Sequence, residues 1–483
     1  MTIARLKRGA IGPIGLAALA IGILSPALGL YVLWPPIQAQ AGPIAPLVYL
    51  CAMLVALPTA ISYAVLNAEA PSAGAGSTWL WRALSPAAGY LLGLTMVTYL
   101  LMSAVVQPLL FGLFAQDLLG FFGLPGGGRT VMAISIFAAT APVAWSTRRG
   151  AETSVRTTVI LMMVESTIVV ALTVTILIVR SPLPGGVNFG PFNPNNATGG
   201  ILGFWGALVI GVLGFAGFDV VSTAAEEAQS PRRQIPVATL LTVLGVGAFW
   251  MLNAWAYTLA VPPALVQQFT SQGMTAVTPM ARQYWGSGNL LIILTAMTGV
   301  TAVYISSVIA TSRLMFALAR SQLLPSSLGT IDPRFRVPSS AIRCVLGLVV
   351  IASAVTVGVF GNSVTGFLWW SNATVFFLLL TFAGVNVANI LYFARVSPRK
   401  FRWGANGVLP MVGLLVNASL LYEAFFKTLW VADLSSGRSV ILFCLGLLGL
   451  WILCVWGVGH WMPQRLAGEA PMEAEDKSIC RTV

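Results

Sequence analysis

Charge is what this chain has least of. Only 8% of its 483 residues are Asp, Glu, Lys or Arg, against roughly 25% in water-soluble domains. Histidine occurs once, at His460, and the five cysteines (Cys51, Cys344, Cys444, Cys454, Cys480) stand singly, without CxxC or comparable ligand spacing. These shortages argue against a zinc cluster and against a Ser/His/Asp centre. No metal and no cofactor is expected, and the chain is not expected to be an enzyme. A GxxxxGK[ST] phosphate loop is also missing, which argues against ATP-driven pumping by this chain alone. Lys and Arg (26) outnumber Asp and Glu (14). The surplus lies in short clusters between apolar runs, with no basic face and no interleaved aromatics, so nucleic acid is not an expected partner.

What is present is apolar. Hydrophobic residues make up 57% of the chain and the mean hydropathy is +0.86. A water-soluble fold of this length cannot hide so much apolar surface, so membrane lipid is the expected surroundings. A helix needs ~20 apolar residues to cross the hydrocarbon core. Runs of that length fall at about 11–38, 43–68, 86–120, 130–146, 153–179, 201–228, 235–261, 289–320, 339–360, 366–393, 405–427 and 438–461. They are far too long for the alternating ~10-residue strands of a barrel. The expected fold is therefore an all-α polytopic membrane protein with twelve transmembrane helices. Arg5, Lys7 and Arg8 before the first run, and Ala39-Gln40-Ala41 after it, imitate a secretion signal. A signal core spans only ~7–15 residues, so the run is expected to stay as helix 1.

With the N-terminus placed inside, only Arg129, Arg180, Arg282, Lys427 and Arg438 of the 26 basic residues fall at outer helix ends or connections. The other 21 lie inside, as the positive-inside rule requires. Both termini are then cytoplasmic, the C-terminal one as a short acidic tail. Arginine over lysine, with abundant Ala and Gly, suggests a bacterial inner membrane.

Two helices carry breaks at matching places. Helix 1 holds Ser25-Pro26-Ala27-Leu28-Gly29, and helix 6 holds Gly214-Phe215-Ala216-Gly217-Phe218. Proline removes a backbone donor and clashes with the preceding turn, and glycine lowers the cost of leaving helical geometry. Transporters built from inverted repeats mark their binding sites in this way. A half-helix that begins at a break offers bare N–H groups, and one that ends there offers bare carbonyls. That pair of poles suits a zwitterion, with its carboxylate near Leu28, Gly29 and Phe218 and its ammonium near Ser25, Gly214 and Phe215.

Gly214-Phe215-Ala216-Gly217-Phe218-Asp219, followed by Ser222, Glu226-Glu227 and Ser230-Pro231-Arg232-Arg233-Gln234-Ile235-Pro236, resembles the helix-6 signature of amino-acid permeases. These belong to the amino acid–polyamine–organocation superfamily. Thr311-Ser312-Arg313-Leu314-Met315-Phe316-Ala317-Leu318-Ala319-Arg320, continuing to Leu324-Pro325, resembles that family's stretch after helix 8, and Pro71-Ser72-Ala73-Gly74 matches a weaker segment. The resemblance implies a LeuT-type five-plus-five inverted repeat with two further C-terminal helices. It also implies transport of an amino acid or related amine by alternating access, coupled to protons or to exchange. Polyamine or other organic-cation transport on the same fold is one alternative, and an ion channel is another of a different class. The chain then divides into a cytoplasmic N-terminus (1–10), repeat 1 (11–179), repeat 2 (201–393), two further helices (405–461) and a cytoplasmic tail (462–483). In arginine-handling members an aromatic gate precedes the central glycine of helix 6, and Leu213 holds that position here. Phe215 and Phe218 are the alternative covers for a substrate.

Carboxylates in the membrane are functional candidates by default. Glu165, in the middle of helix 5, has three roles open to it: proton carrier, partner of a substrate ammonium, or structural hydrogen bond to helix 1 or helix 8. Ser306 and Ser307 are its expected hydroxyl neighbours. Asp219 either caps the half-helix after the break or takes part in coupling. Glu226 and Glu227 are expected to pair with Arg232 and Arg233 as a cytoplasmic network that also gates. Tyr99, Met102, Ser103 and Gln107 of helix 3, with Trp369, Trp370 and Asn372 of helix 10, are candidates for a side-chain pocket.

Overall fold

The computed structural model describes residues 9, 11–183, 185–271, 276–361, 363–426 and 437–461. Arg5, Lys7, Arg8, Lys427 and the acidic tail from Arg465 onward lie outside the described residues.

Among the described residues, twelve helices are long and apolar enough to cross a membrane. The first, α1, is built in pieces, Pro13–Leu24 and then Leu28–Tyr31, with Trp34–Ala41 continuing beyond. The next four are α2 (Ala45–Glu69), α3 (Pro86–Phe121), α4 (Arg129–Arg148) and α5 (Ala151–Arg180). The second broken helix, α6, runs Gly200–Leu213, unwinds, and resumes as a tighter 3₁₀ turn at Phe218–Ala224. Then come α7 (Pro231–Ala260), α8 (Leu290–Arg320), α9 (Ser339–Phe360), α10 (Ser363–Leu391), α11 (Leu409–Leu421) and α12 (Gly437–Trp461). The expected spans match these within a few residues, apart from the two helices that come in pieces. Three short helices among the described residues, Gly76–Ala83, Pro263–Ser271 and Val277–Trp285, were not expected. None has the length of a membrane crossing, so a search for ~20-residue apolar runs passes over all three.

Burial separates core helices from lipid-facing ones. In the most apolar window of the span ending at Arg320, 78% of residues are buried, against 17% in the α12 window. α2 packs along α7, α3 lies between α8 and α10, α8 packs against α5, and α4 packs against α9. α1 packs on α7, and α6 on α2. α11 lies on α10 and α2, and α12 on α3 and α10. A buried amide network ties α2 to α10 and α11. Ser62 Oγ donates to Asn386 Oδ1 at 2.8 Å, Asn386 Nδ2 to Thr59 Oγ1 at 3.0 Å, and Asn417 Nδ2 to Thr59 Oγ1 at 3.2 Å. In lipid such groups must find partners within the protein.

Candidate functional site

The break in α1 is sharp because Ser25 adopts φ 47°, a left-handed backbone value that costs a non-glycine residue about 1–3 kcal/mol. Side chains from three other helices then satisfy the groups that the break leaves bare. Glu165 of α5, fully buried, accepts from Ser25 Oγ at 2.6 Å and from the Ala27 N–H at 3.4 Å. Trp250 Nε1 of α7 donates to the Pro26 carbonyl at 3.1 Å, and the Tyr49 hydroxyl of α2 donates to the Gly29 carbonyl at 2.5 Å. Ser25 Oγ also accepts from the Leu28 N–H at 3.2 Å, and the Gly29 N–H reaches the Ser25 carbonyl at 3.2 Å. In this conformation the amides of Leu28 and Gly29, expected to face a carboxylate, are thus engaged within α1 itself.

Of the three roles open to Glu165, the contact with α1 is therefore made. Its hydroxyl partner is Ser25, not the expected Ser306 or Ser307. Ser307 instead stands 3.4 Å from Ser103 of α3. α8 approaches Glu165 through a residue without a side chain: a Cβ on Gly299 would sit 2.9 Å from Ser25 Oγ and 3.2 Å from Glu165 Oε2.

In α6 the chain leaves helical geometry at Gly217, with φ 113° in the left-handed region. A Cβ there would press on Ile23 of α1 at 2.5 Å, so glycine is needed both for the turn and for the approach of the two breaks. Asp219 stands in the first turn of the resumed half-helix. Its Oδ2 accepts from the Tyr99 hydroxyl of α3 and, at 3.4 Å, from Tyr63 of α2. One turn further on, Asn67 Nδ2 donates to Ser222 Oγ at 2.8 Å. Phe215 and Phe218 are both fully buried: Phe215 packs edge-on to Trp250, and Phe218 packs against Tyr63 and Phe382.

A cavity of about 130 Å³ lies at the two breaks. α1 lines it with Leu28 and Gly29, and α6 with Leu213, Gly214 and Ala216. Neither Phe215 nor Phe218 lines it. Ser103 and Gln107 face it from α3, as expected. The α10 contribution differs from expectation. Phe367, Ser371 and Thr374 line the cavity, whereas Trp369 Nε1 donates to Ser439 Oγ and Trp370 Nε1 to Thr356 Oγ1. Among the described residues, no lining side chain carries a charge.

The opposite side of the breaks is held by ion pairs, and here the expected partners were wrong. Glu226 pairs with Arg320 of α8 at 2.5 Å, and Glu227 pairs with Arg313 two turns earlier on the same helix. Arg232 and Arg233 lie exposed in the first turn of α7. That first turn is shaped by Pro231 and by Gln234, whose side chain accepts from the Ser230 N–H at 3.1 Å. The two sequence blocks that carried the family resemblance thus meet in space, acid against base. Burial pushes the Glu227 carboxyl up from its ordinary range, Arg313 pulls it back, and Glu226 adds a further push upward. Main-chain bonds join the same side: the Ile11 N–H donates to the Glu227 carbonyl at 3.0 Å, and the Gln229 N–H to the Ile11 carbonyl at 3.3 Å.

An uncharged cavity between two interrupted membrane helices, with ion pairs joining α8 to the segment after the second break, is the arrangement of a carrier of small solutes. The amino acid permease family model matches residues 15–461, and the chain belongs to that family. It is a membrane transporter of small organic solutes of the amino-acid and amine class, and not an enzyme. It is 26% identical over 347 residues to the branched-chain amino acid permease BcaP of Bacillus subtilis, covering 69% of this chain and 71% of that one. It is also 26% identical over 334 residues to the methylthioribose transporter of the same organism, covering 64% and 67%. To the vacuolar cationic amino acid transporter 4 of Arabidopsis thaliana it is 26% identical over 373 residues, covering 71% and 57%.

Proposed function

We propose that the chain is a secondary transporter of neutral amino acids, working by alternating access on a five-plus-five inverted repeat. The uncharged cavity between the breaks carries this reading. A site without a carboxylate leaves the extra charge of a polyamine or basic amino acid unpaired, which is costly out of water, whereas an aliphatic side chain fits apolar walls. The branched-chain specificity named for BcaP points the same way.

Helix neighbours support the repeat. Adding five to a helix number turns α2·α7, α3·α8 and α4·α9 into themselves, α1·α7 into α6·α2, and α3·α10 into α8·α5, and each of these pairs is in contact. On this reading residues 11–179 and 201–393 are the repeats, 405–461 are two appended helices, and 1–10 and 462–483 are cytoplasmic ends of a protein in a bacterial inner membrane. Ser25, Pro26, Ala27, Leu28 and Gly29, with Gly214, Phe215, Ala216, Gly217 and Phe218, form the two hinges of the binding site. Of these ten, Leu28, Gly29, Gly214 and Ala216 face the substrate.

Glu165 is the proposed coupling group. As a carboxylate it accepts from both Ser25 and Ala27. As an acid, with the proton on the unpartnered Oε1, its Oε2 is a weaker acceptor and both bonds lose their charge assistance, which loosens the break, so proton uptake and hinge movement become one event. Asp219, beside the other break, is the second candidate, and Glu226 and Glu227 with their arginines form the inner gate. Protein in liposomes tests the whole. Saturable leucine or valine uptake, accelerated by the same amino acid inside, is expected. A non-saturating ion current would make it a channel, and uptake of only cationic solutes would remove the neutral substrate.

A further inference from the structure

One side chain touches both breaks without touching the cavity. Trp250, in the middle of α7, is fully buried. On the α1 side its indole N–H holds the Pro26 carbonyl at 3.1 Å, an acceptor set free by the interruption of the helix. A Cβ added to Gly29 would fall inside the indole ring, so that glycine is a seat for Trp250. On the α6 side, a Cβ on Gly214 would meet Trp250 Cζ3 at 3.0 Å, and Phe215 packs edge-on with ring centroids 5.3 Å apart. Tyr49, which holds the Gly29 carbonyl, packs against the same indole at 6.0 Å.

We infer that Trp250 is a positioning residue that clamps the two broken helices together, so that α1 and α6 move as one body. The inference rests on the reading of the breaks as the moving parts of the carrier. Tryptophan suits the place because one rigid side chain offers a donor at its edge and a broad apolar face. Gly29 and Gly214 line the cavity, and Trp250 stands behind both, so it acts on the substrate only through them. With the clamp in place, a shift of α1 on weakening of the Ser25–Glu165 bond carries α6 with it. Without the clamp, each break opens alone and the turnover step slows while recognition is kept.

Hydrogen–deuterium exchange on the purified full chain in lipid nanodiscs reads the clamp without any substrate. Trp250→Phe keeps an aromatic ring and deletes the N–H. Roughly fivefold faster exchange is expected in peptides covering both the 23–31 and the 210–219 stretches, the factor that one lost hydrogen bond gives. Gly29→Ala, which forces the indole from its seat, should give the same double signature. Faster exchange at only one break, or only within α7, overturns the inference, as does no change in either variant. In liposomes, Trp250→Phe should lower the maximal rate of leucine uptake about tenfold and leave the half-saturating concentration within about twofold. A raised half-saturating concentration at an unchanged rate would place Trp250 on the substrate and overturn it too. Should wild-type protein take up no amino acid, the substrate proposal falls, while the exchange data still decide the clamp.

Discussion

At the scale of the residue, the decisive group is Glu165. Its place in the middle of an apolar run marks it as a functional candidate from sequence alone, because an intramembrane carboxylate is expensive. Its partner was not legible in that way. Ser25 is 140 positions away, and nothing local to either residue points to the other. Glu165→Gln keeps the volume and cannot change charge. We expect it to abolish uphill uptake driven by a pH gradient while exchange of internal for external amino acid persists, both measured in liposomes. A pH dependence equal to wild type would remove Glu165 from coupling. Gly299 offers a second test at this scale. Gly299→Ala places a methyl 2.9 Å from Ser25 Oγ, and overpacking of this kind costs about 1–3 kcal/mol. A lower melting temperature is expected, together with a pH optimum for uptake displaced from wild type. A changed melting point with an unmoved pH profile would make the contact purely a packing one.

At the scale of the element, the breaks in α1 and α6 could be read ahead of the structure because glycine and proline act locally, on their own backbone. Pairing between elements could not. Glu226 and Glu227 stand five to seven positions from Arg232 and Arg233, and that nearness suggested a network. α7 begins between them, however, at Pro231, and turns both arginines outward. The true partners lie on α8, with Arg320 94 positions beyond Glu226 in sequence. The two pairs differ in depth. The Arg313 and Glu227 side chains are 4% and 3% exposed, and those of Arg320 and Glu226 are 26% and 10% exposed. Removing one member of the deep pair strands a buried charge, so Glu227→Gln should destabilise the protein by about 3–5 kcal/mol. Glu226→Gln should cost nearer 1 kcal/mol, since water reaches its partner. Denaturation in matched detergent separates the two. Replacing the deep pair together, as Glu227→Leu with Arg313→Met, should recover most of the loss. If the double variant is as unstable as Glu227→Gln, ionic pairing does not explain the cost of the single one.

At the scale of the whole molecule, composition decided nearly everything. The twelve spans were legible because lipid imposes length and apolarity on every crossing, whatever the neighbours. What stayed hidden were the helices that lie outside that constraint, such as Gly76–Ala83, whose tryptophans Trp79 and Trp81 are buried against the bundle. The distribution of arginine and lysine sets the expected orientation, and labelling of intact cells can check it. Asn195→Cys, in the exposed connection between α5 and α6, should react with a membrane-impermeant thiol reagent. Ser326→Cys, between α8 and α9, should react only after the membrane is opened. The reverse result would invert the molecule and make the ion-paired side its outer face.

The main-chain tie between Ile11 and the end of α6 has a consequence for how this protein can be searched by mutation. Peptide groups make that tie, and every residue type except proline supplies the donor. An alanine or cysteine scan would therefore leave the tie intact at both positions, reporting at Ile11 only the loss of its buried side chain. Only proline, at either position, would make this seam audible.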